Sequence, residues 1–295
     1  MSASILFDAP GPKTVARHRL YSVVSVVALV ALVAFAVWRL YDRGQLEYEL
    51  WEPFVTPQYL EFILVDGLLR TLQMAFFSII FATVFGLVFG VAKLSDHVWV
   101  RWPAWLVVEF FRATPVLLLM IFLFFLLAIG NGPLSSFWCV VIALTLYNGS
   151  VLAEVFRAGI NAVPAGQAEA AYAIGMRKSQ VMVLILLPQA VKIMLPAIIS
   201  QMVVALKDTS LGYYILAPGL TAVAKPIYLE FQNQVPTAIV ITAVYVVVNL
   251  ILTWIATKVQ KRLVGEKDVL QVSMVGDGTG TAGPVGAGFD SDTLR

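Results

Sequence analysis

The sequence predicts an all-α protein, a polytopic bundle of about six membrane-spanning helices with both termini in the cytoplasm. Composition is the first reason: of 295 residues, 60% are hydrophobic and 13% are charged, and the mean hydropathy is +0.85. A soluble domain carries about a quarter charged residues, so lipid is the expected solvent. The second reason is a set of apolar runs of the length, about 20 residues, that a helix needs to cross a bilayer.

Six runs reach this length. They occupy Leu20–Leu40, Leu69–Ala92, Ala104–Ile129, Phe137–Phe156, Val181–Leu206 and Pro236–Thr257. Helices are predicted because lipid offers no partner to open backbone groups, and the runs lack the alternation of a β-barrel strand.

The distribution of charges predicts the orientation. Basic residues gather before the first run and after the last, and cytoplasmic loops are enriched in lysine and arginine. These residues are Lys13, Arg17, Arg19, Lys258, Lys261, Arg262 and Lys267. The loop after the first run is acidic, with Glu47, Glu49 and Glu52, and suits the outside. An even number of spans agrees with two cytoplasmic ends.

The first run has two interpretations. Its basic flank and Ala34-Phe35-Ala36 resemble a cleavable signal peptide, which would leave five spans. We favour an uncleaved anchor, because the apolar run continues past that site to Leu40. The chain then divides into a cytoplasmic N-terminal segment (1–19), an extra span with an acidic outer loop (20–65), a transport domain (66–265) and a disordered glycine-rich cytoplasmic tail (266–295).

Several classes of function are disfavoured. The net charge of +2 and the scattered basic residues do not suit nucleic acid binding. His18 and His97 lie apart, without ligand partners at metal-binding spacing, so we expect no metal site and no hydrolytic centre. Cys139 is the single cysteine and cannot form an internal disulfide.

The cytoplasmic loop between the fourth and fifth runs predicts a docking helix at about 164–178. Small or mildly apolar residues recur there at helical spacing, and Pro164 suits a helix start. They are Ala168, Ala171, Tyr172, Gly175 and Met176. A helix resting on lipid is the alternative, but it would show bulky apolar residues against a basic face. A helix that fits a groove on a protein partner is favoured.

This loop also carries a specific resemblance. Glu169-Ala170-Ala171, then Gly175, then Ile185 to Pro188 resemble the EAA signature of permeases of binding-protein-dependent ABC importers. Glu109 to Pro115 and Lys207 to Leu211 resemble the polar amino-acid branch of that family. Within it the chain is most similar to the D-type permease of actinobacterial glutamate importers.

The resemblance implies a type I ABC importer permease fold in the cell membrane and a set of partners. A coupling helix would dock onto a cytoplasmic P-loop ATPase, which binds ATP and Mg²⁺, through Ala168, Glu169, Ala170, Ala171, Gly175, Met176 and Pro188. A second permease, in a heterodimer rather than a homodimer, and an extracytoplasmic substrate-binding lipoprotein would complete the importer. The sequence itself has no G-x-x-x-x-G-K-[ST] phosphate loop, so we expect no cofactor in this chain and ATP hydrolysis elsewhere.

Charged and polar residues within the runs are candidates for the substrate pathway, since they usually face a cavity or a partner. The candidates are Lys207, Asp208, Thr209, Ser210, Arg112, Tyr147 and Asn148. Lys207 and Asp208 complement the two charges of an amino acid and lie where Pro196, Gly212 and Pro218 would interrupt a helix. The alternative for them is an ordinary outer loop.

Other charges have simpler interpretations. Glu109 and Arg112 would pair at i, i+3, while Glu154 and Lys192 would extend to the membrane surface. The predicted function is import of an amino acid, glutamate or another polar one, as a translocation subunit without enzymatic activity of its own. The alternative is an ATP-independent secondary transporter or channel.

Overall fold

The computed structural model describes residues 12–130 and 132–264, and every regular element within these ranges is a helix. The predicted glycine-rich tail (266–295) lies outside the described residues. The α-helices are α1 (Pro12–Asp42), α2 (Tyr48–Trp51), α3 (Pro57–Glu61), α4 (Arg70–Ala92), α5 (Val98–Ala113), α6 (Val116–Leu127), α7 (Ser136–Asn161), α8 (Ala165–Ala173), α9 (Lys178–Gln180), α10 (Leu187–Asp208), α11 (Leu220–Phe231) and α12 (Gln234–Val264).

Four further helical segments adjoin these elements without a break. The first is a 3₁₀ turn, Glu52–Phe54, which continues α2. π-helical turns at Phe62–Leu69 and Val181–Leu186 connect α3 to α4 and α9 to α10. A 3₁₀ segment, Thr209–Ile215, continues α10. The second and fifth spans are therefore longer than predicted, running from Pro57 to Ala92 and from Lys178 to Ile215. The second π turn ends just before Pro188, whose ring would clash with the carbonyl of Leu184 in a regular α-helix.

Within residues 12–130 and 132–264, five continuous helices are long and apolar enough to cross a membrane, and a bent pair makes a sixth span if its two helices are counted as one. The bent pair corrects the predicted span Ala104–Ile129, which is two helices, α5 and α6, at an angle of 102°. Thr114 separates them with extended φ and ψ angles of −81° and 127°. A residue before proline disfavours the helical conformation, and Pro115 follows directly.

Helix α7 is the centre of the bundle: 61% of its most apolar 18-residue stretch is buried within the protein. It packs closely on α4 through small residues spaced four apart, Ser78, Ala82, Gly86 and Gly90, all buried. A Cβ added at Gly86 would lie 2.7 Å from the Cβ of Leu152, and one at Gly90 would lie 2.8 Å from the carbonyl oxygen of Ala153. Small residues at this spacing let two membrane helices approach closely.

Helices α1 and α12 lie at the periphery. In α1, none of the most apolar 18-residue stretch is buried within the protein. In α12, only 6% of the corresponding stretch is buried. The segment after α1 is anchored instead: Asn233 donates a hydrogen bond to the carbonyl oxygen of Leu50 at 2.7 Å, and Phe54 is buried against α11 and α12. The first span is thus an apolar addition whose surface is free for lipid or another subunit.

Candidate functional site: a docking segment and a polar cavity

The predicted docking helix is present as α8, but it is shorter than the predicted 164–178. It ends at Ala173, so Gly175 and Met176 do not continue its face as predicted. Gly175 adopts a φ of +83°, and its N–H donates to the carbonyl oxygen of Tyr172 at 2.9 Å. The N–H of Met176 donates to the carbonyl oxygen of Ala171 at 3.2 Å. These two bonds form a Schellman motif that closes the helix.

Gly175 has a conformational role that was not predicted from the sequence. No atom of this chain lies within 4 Å of the position a Cβ would occupy on Gly175, and the close approach of a partner's backbone stays a prediction. A glycine is needed at this position because left-handed φ values strain residues that carry a Cβ. The sequence signal was available, since glycine is the usual residue just past a helix end.

Most of the docking segment, residues 163–178, is exposed. Ala171 is buried at 4% exposure and Ala168 is half-buried, whereas Glu169 and Ala170 face outward. The most exposed large apolar side chain of the segment is Ile174, at 79%, with Tyr172 nearby in the sequence at 47%. Sequence reasoning did not single out Ile174, although an isoleucine in a polar loop was a visible signal. An apolar anchor on an exposed helix end is a typical contact for a protein partner.

The helix is held onto the bundle near its N-terminal end. Val163 is 7% exposed in an apolar cluster, here called the inner apolar cluster, which includes Phe156, Ile160 and Met194. Gln189 donates a hydrogen bond to the side-chain oxygen of Gln167 at 3.4 Å and another to the carbonyl oxygen of Ile185 at 2.9 Å. Pro188, exposed in the first turn of α10, lies beside this contact.

Lys207 and Ser210 line a cavity of about 540 Å³ between the end of α10 and α12. Thr221 lies on the same cavity, with its hydroxyl 3.4 Å from the carbonyl oxygen of Ser210. Asp208 is half-buried, and Thr209 is buried with its hydroxyl donating to the carbonyl oxygen of Leu206 at 2.6 Å. Of the four residues 207–210, Lys207 and Ser210 therefore face the cavity, whereas Thr209 is buried in the bundle.

The other wall of this cavity is a polar stripe on α12 that sequence reasoning missed. Thr242, Tyr245, Asn249 and Thr253 recur at three- and four-residue spacing, so they share one face. The amide of Asn249 donates to the carbonyl oxygen of Tyr245 at 2.8 Å, while its side-chain oxygen is buried without a hydrogen-bond partner among the described residues. A buried acceptor without a partner is costly, and a bound polar solute would satisfy it.

The remaining predicted pathway residues lie elsewhere. Asn148 is 1% exposed: its amide donates to the carbonyl oxygen of Leu144, and its oxygen accepts from Gln201 at 2.6 Å. It thus joins α7 to α10 in this conformation rather than lining a cavity. Tyr147, next to it, is half-buried.

Arg112 lies on α5, where its guanidinium is 3.1 Å from Glu109, the i, i+3 pair that was expected. The expectation for Glu154 is wrong. Its carboxylate does not extend to the surface but pairs with Arg157 at 2.9 Å and with the buried ammonium of Lys93. Lys192 is exposed, as expected.

A polytopic helical bundle with a short exposed helix between two spans, and with polar residues on a cavity between two others, is the architecture expected of a transport permease. The family model described as binding-protein-dependent transport system inner membrane component matches residues 62–265. The chain belongs to this family, as the resemblance of its docking segment predicted.

Two relatives of known name are similar over most of the chain. It is 42% identical over 228 residues to the glutamate transport system permease protein of Corynebacterium glutamicum, covering 75% of this chain and 82% of that one. It is 34% identical over 204 residues to the arginine transport system permease protein of Bacillus subtilis, covering 68% and 92%.

Solved structures support the fold. A crystal structure of an amino acid ABC transporter with histidines matches at a TM-score of 0.63 and 29% identity, covering 67% of this chain and 92% of that chain. The inward-facing MetNI methionine ABC transporter matches at a TM-score of 0.60 and 19% identity, covering 70% and 99%, which bears on the fold alone. The chain is a multi-pass membrane permease, and the family decides against the alternative of an ATP-independent transporter or channel.

Proposed function

We propose that this permease imports glutamate or a closely related polar amino acid, driven by a separate P-loop ATPase that docks on residues 163–178. The observation that carries the ATPase assignment is the exposed, Schellman-capped helix α8 with Ile174 at its end. The 42% identity to a glutamate permease supports the substrate. ATP and Mg²⁺ would bind the partner, and this chain would hydrolyse nothing.

The coupling would be mechanical. Closure of the ATPase around nucleotide would move α8, and α7 and α10, which flank it in the chain, would tilt between an inward and an outward opening. The nucleotide must bind one of the two states more tightly than the other to drive this exchange. On this proposal the docking segment and both termini face the cytoplasm, as the basic flanks predict.

The cavity between α10 and α12 is the proposed contact site for the solute. Lys207 supplies an ammonium for a carboxylate, and Asn249, Tyr245 and Ser210 supply hydrogen-bonding groups. An extracytoplasmic binding lipoprotein would deliver the amino acid. A second permease would complete the pathway, with a heterodimer favoured because of the similarity to the glutamate system.

Two measurements test the proposal. The tagged chain, purified from its own membranes, should carry a P-loop ATPase, and their genes should be neighbours. In proteoliposomes holding the purified complex with its binding protein, glutamate uptake should require ATP and persist when ion gradients are collapsed. Uptake that follows an ion gradient without ATP would refute the proposal, and arginine taken up in preference to glutamate would refute the substrate.

A further inference from the structure

Five charged side chains link three helices at one end of the bundle. In spatial order they are Arg112, Glu109, Lys93, Glu154 and Arg157. The ammonium of Lys93 at the end of α4 is 3.2 Å from Glu109 on α5 and contacts Glu154 on α7. Positive and negative side chains alternate in this series of ion pairs, so each carboxylate lies between two cations.

Lys93 lies in the middle of this series of ion pairs, and its side chain is only 6% exposed. A buried ammonium is stable only while its carboxylate partners remain in place. Its two partners come from different helices, α5 and α7. Helix α5 therefore cannot move away from α7 at this level without leaving the ammonium of Lys93 half-paired.

Two residues that follow Lys93 are linked to the docking segment. Leu94 packs against the inner apolar cluster, whose buried members include Val163, just before α8. The carboxylate of Asp96 accepts a hydrogen bond from the ammonium of Lys178, at the end of the docking segment. That hydrogen bond, together with the positive charge of Lys178, lowers the pKa of Asp96.

We infer that residues 93–96 are a linkage that carries movement of the docking segment to α5, with Lys93 as the positioning residue at its far end. Leu94 and Asp96 hold the docking segment, while Lys93 holds α5 and α7. Helix α5 meets α6 at 102° through Thr114, so a shift of α5 changes the angle of that pair. The inference rests on the proposed function, because it assumes that an ATPase moves residues 163–178.

The test uses the whole transporter, reconstituted with its ATPase and binding protein. Two quantities are measured: the amount of ATPase that co-purifies, and the number of ATP molecules hydrolysed per amino acid imported. The variants are Lys93→Gln, Asp96→Asn and their combination. Lys93→Arg keeps the cation, and Arg39→Gln breaks an exposed pair with Asp42 on α1 as a matched control.

Each single variant should keep the ATPase bound and raise the ATP hydrolysed per imported molecule by about fivefold or more, the lower end of typical couplings between sites. The double variant should be no worse than the more severe single variant, because the two contacts act one after the other. Lys93→Arg and Arg39→Gln should match the wild type. Lys93→Arg is informative because a merely structural loss of packing would not be restored by a longer cation.

Wild-type stoichiometry in Asp96→Asn would overturn the inference, and so would independent, multiplying effects in the double variant. The carboxylate of Asp96 is 71% exposed, so this variant should fold even if Lys93→Gln does not. A wild-type chain that never binds an ATPase would instead refute the proposed function, and the two failures are thus distinguishable.

Discussion

Gly175 offers the sharpest test of the docking segment. Its φ of +83° lies in the left-handed region, where a residue with a Cβ is strained by about 1–2 kcal/mol. The space around it is open, so Gly175→Ala introduces backbone strain without a side-chain clash. If the ATPase binds only the capped form of the helix, that strain weakens binding by a factor of about 5–30.

Gly166 provides a matched control in the same segment. It lies in the first turn of α8 without a positive φ, and nothing lies within 4 Å of a Cβ added there. Gly166→Ala should leave ATPase affinity unchanged or raise it, because alanine favours a helix over glycine by about 1 kcal/mol. Gly175→Asn should fall between the two, since asparagine tolerates the left-handed conformation.

The assay is titration of the ATPase subunit onto the permease in lipid nanodiscs, with insertion of each variant checked by its yield in the membrane. The order of affinity expected is Gly166→Ala at least equal to wild type, then Gly175→Asn, then Gly175→Ala. Equal affinity for Gly175→Ala and wild type would show that the Schellman cap is irrelevant to docking. An equal loss in both alanine variants would show that any bulk on this surface interferes.

Three other predictions concern the surface, the cavity and the core. Glu169→Lys should weaken ATPase binding in low salt, with the difference shrinking in high salt as screening increases; a salt-independent loss would indicate misfolding. Asn249→Leu should abolish most glutamate uptake without lowering the yield of the complex, whereas Thr257→Val, one turn beyond the cavity, should transport normally; normal uptake by Asn249→Leu would remove α12 from the pathway. Gly86→Ala should destabilise the bundle by about 1–3 kcal/mol through overpacking against α7, measured as a lower unfolding temperature in detergent, and an unchanged temperature would contradict the close approach.

The spans were predictable because hydrophobic length is a local property. Each predicted run overlaps a helix, or in one case a helix pair, that is long and apolar enough to cross a membrane. The break at Thr114 was readable in principle, since Pro115 follows it, but a proline within a long apolar run does not fix a bend of 102°. The π turns were not predictable, since Val181–Leu186 is wholly apolar and Phe62–Leu69 is apolar apart from Asp66 and Gly67, a composition that a regular helical span also has.

The short exposed helix between α7 and α10 was located correctly from sequence, but its C-terminal end was not, and its docking role stays a prediction. Helical spacing extended the face through Gly175 and Met176, although the glycine ends the helix. The competing signal was a C-terminal cap, and it prevailed because a left-handed residue there satisfies two carbonyls at the helix end. The ion pairs of Lys93 were beyond reach, since Lys93 and Glu154 are 61 residues apart in the chain.

The residues of α12 that line the cavity could have been predicted from the sequence. Within an apolar span, every polar side chain needs a partner or a cavity, so spacing among polar residues is as informative as spacing among apolar ones. Thr242, Tyr245, Asn249 and Thr253 meet this condition on a single face of α12, whereas Lys207 and Ser210 come from another span. Sequence alone could have predicted each wall, but only the packing of α10 against α12 places Lys207 and Asn249 on the same cavity. This is why Asn249→Leu, rather than any change in the Lys207–Ser210 run alone, decides whether the cavity carries the solute.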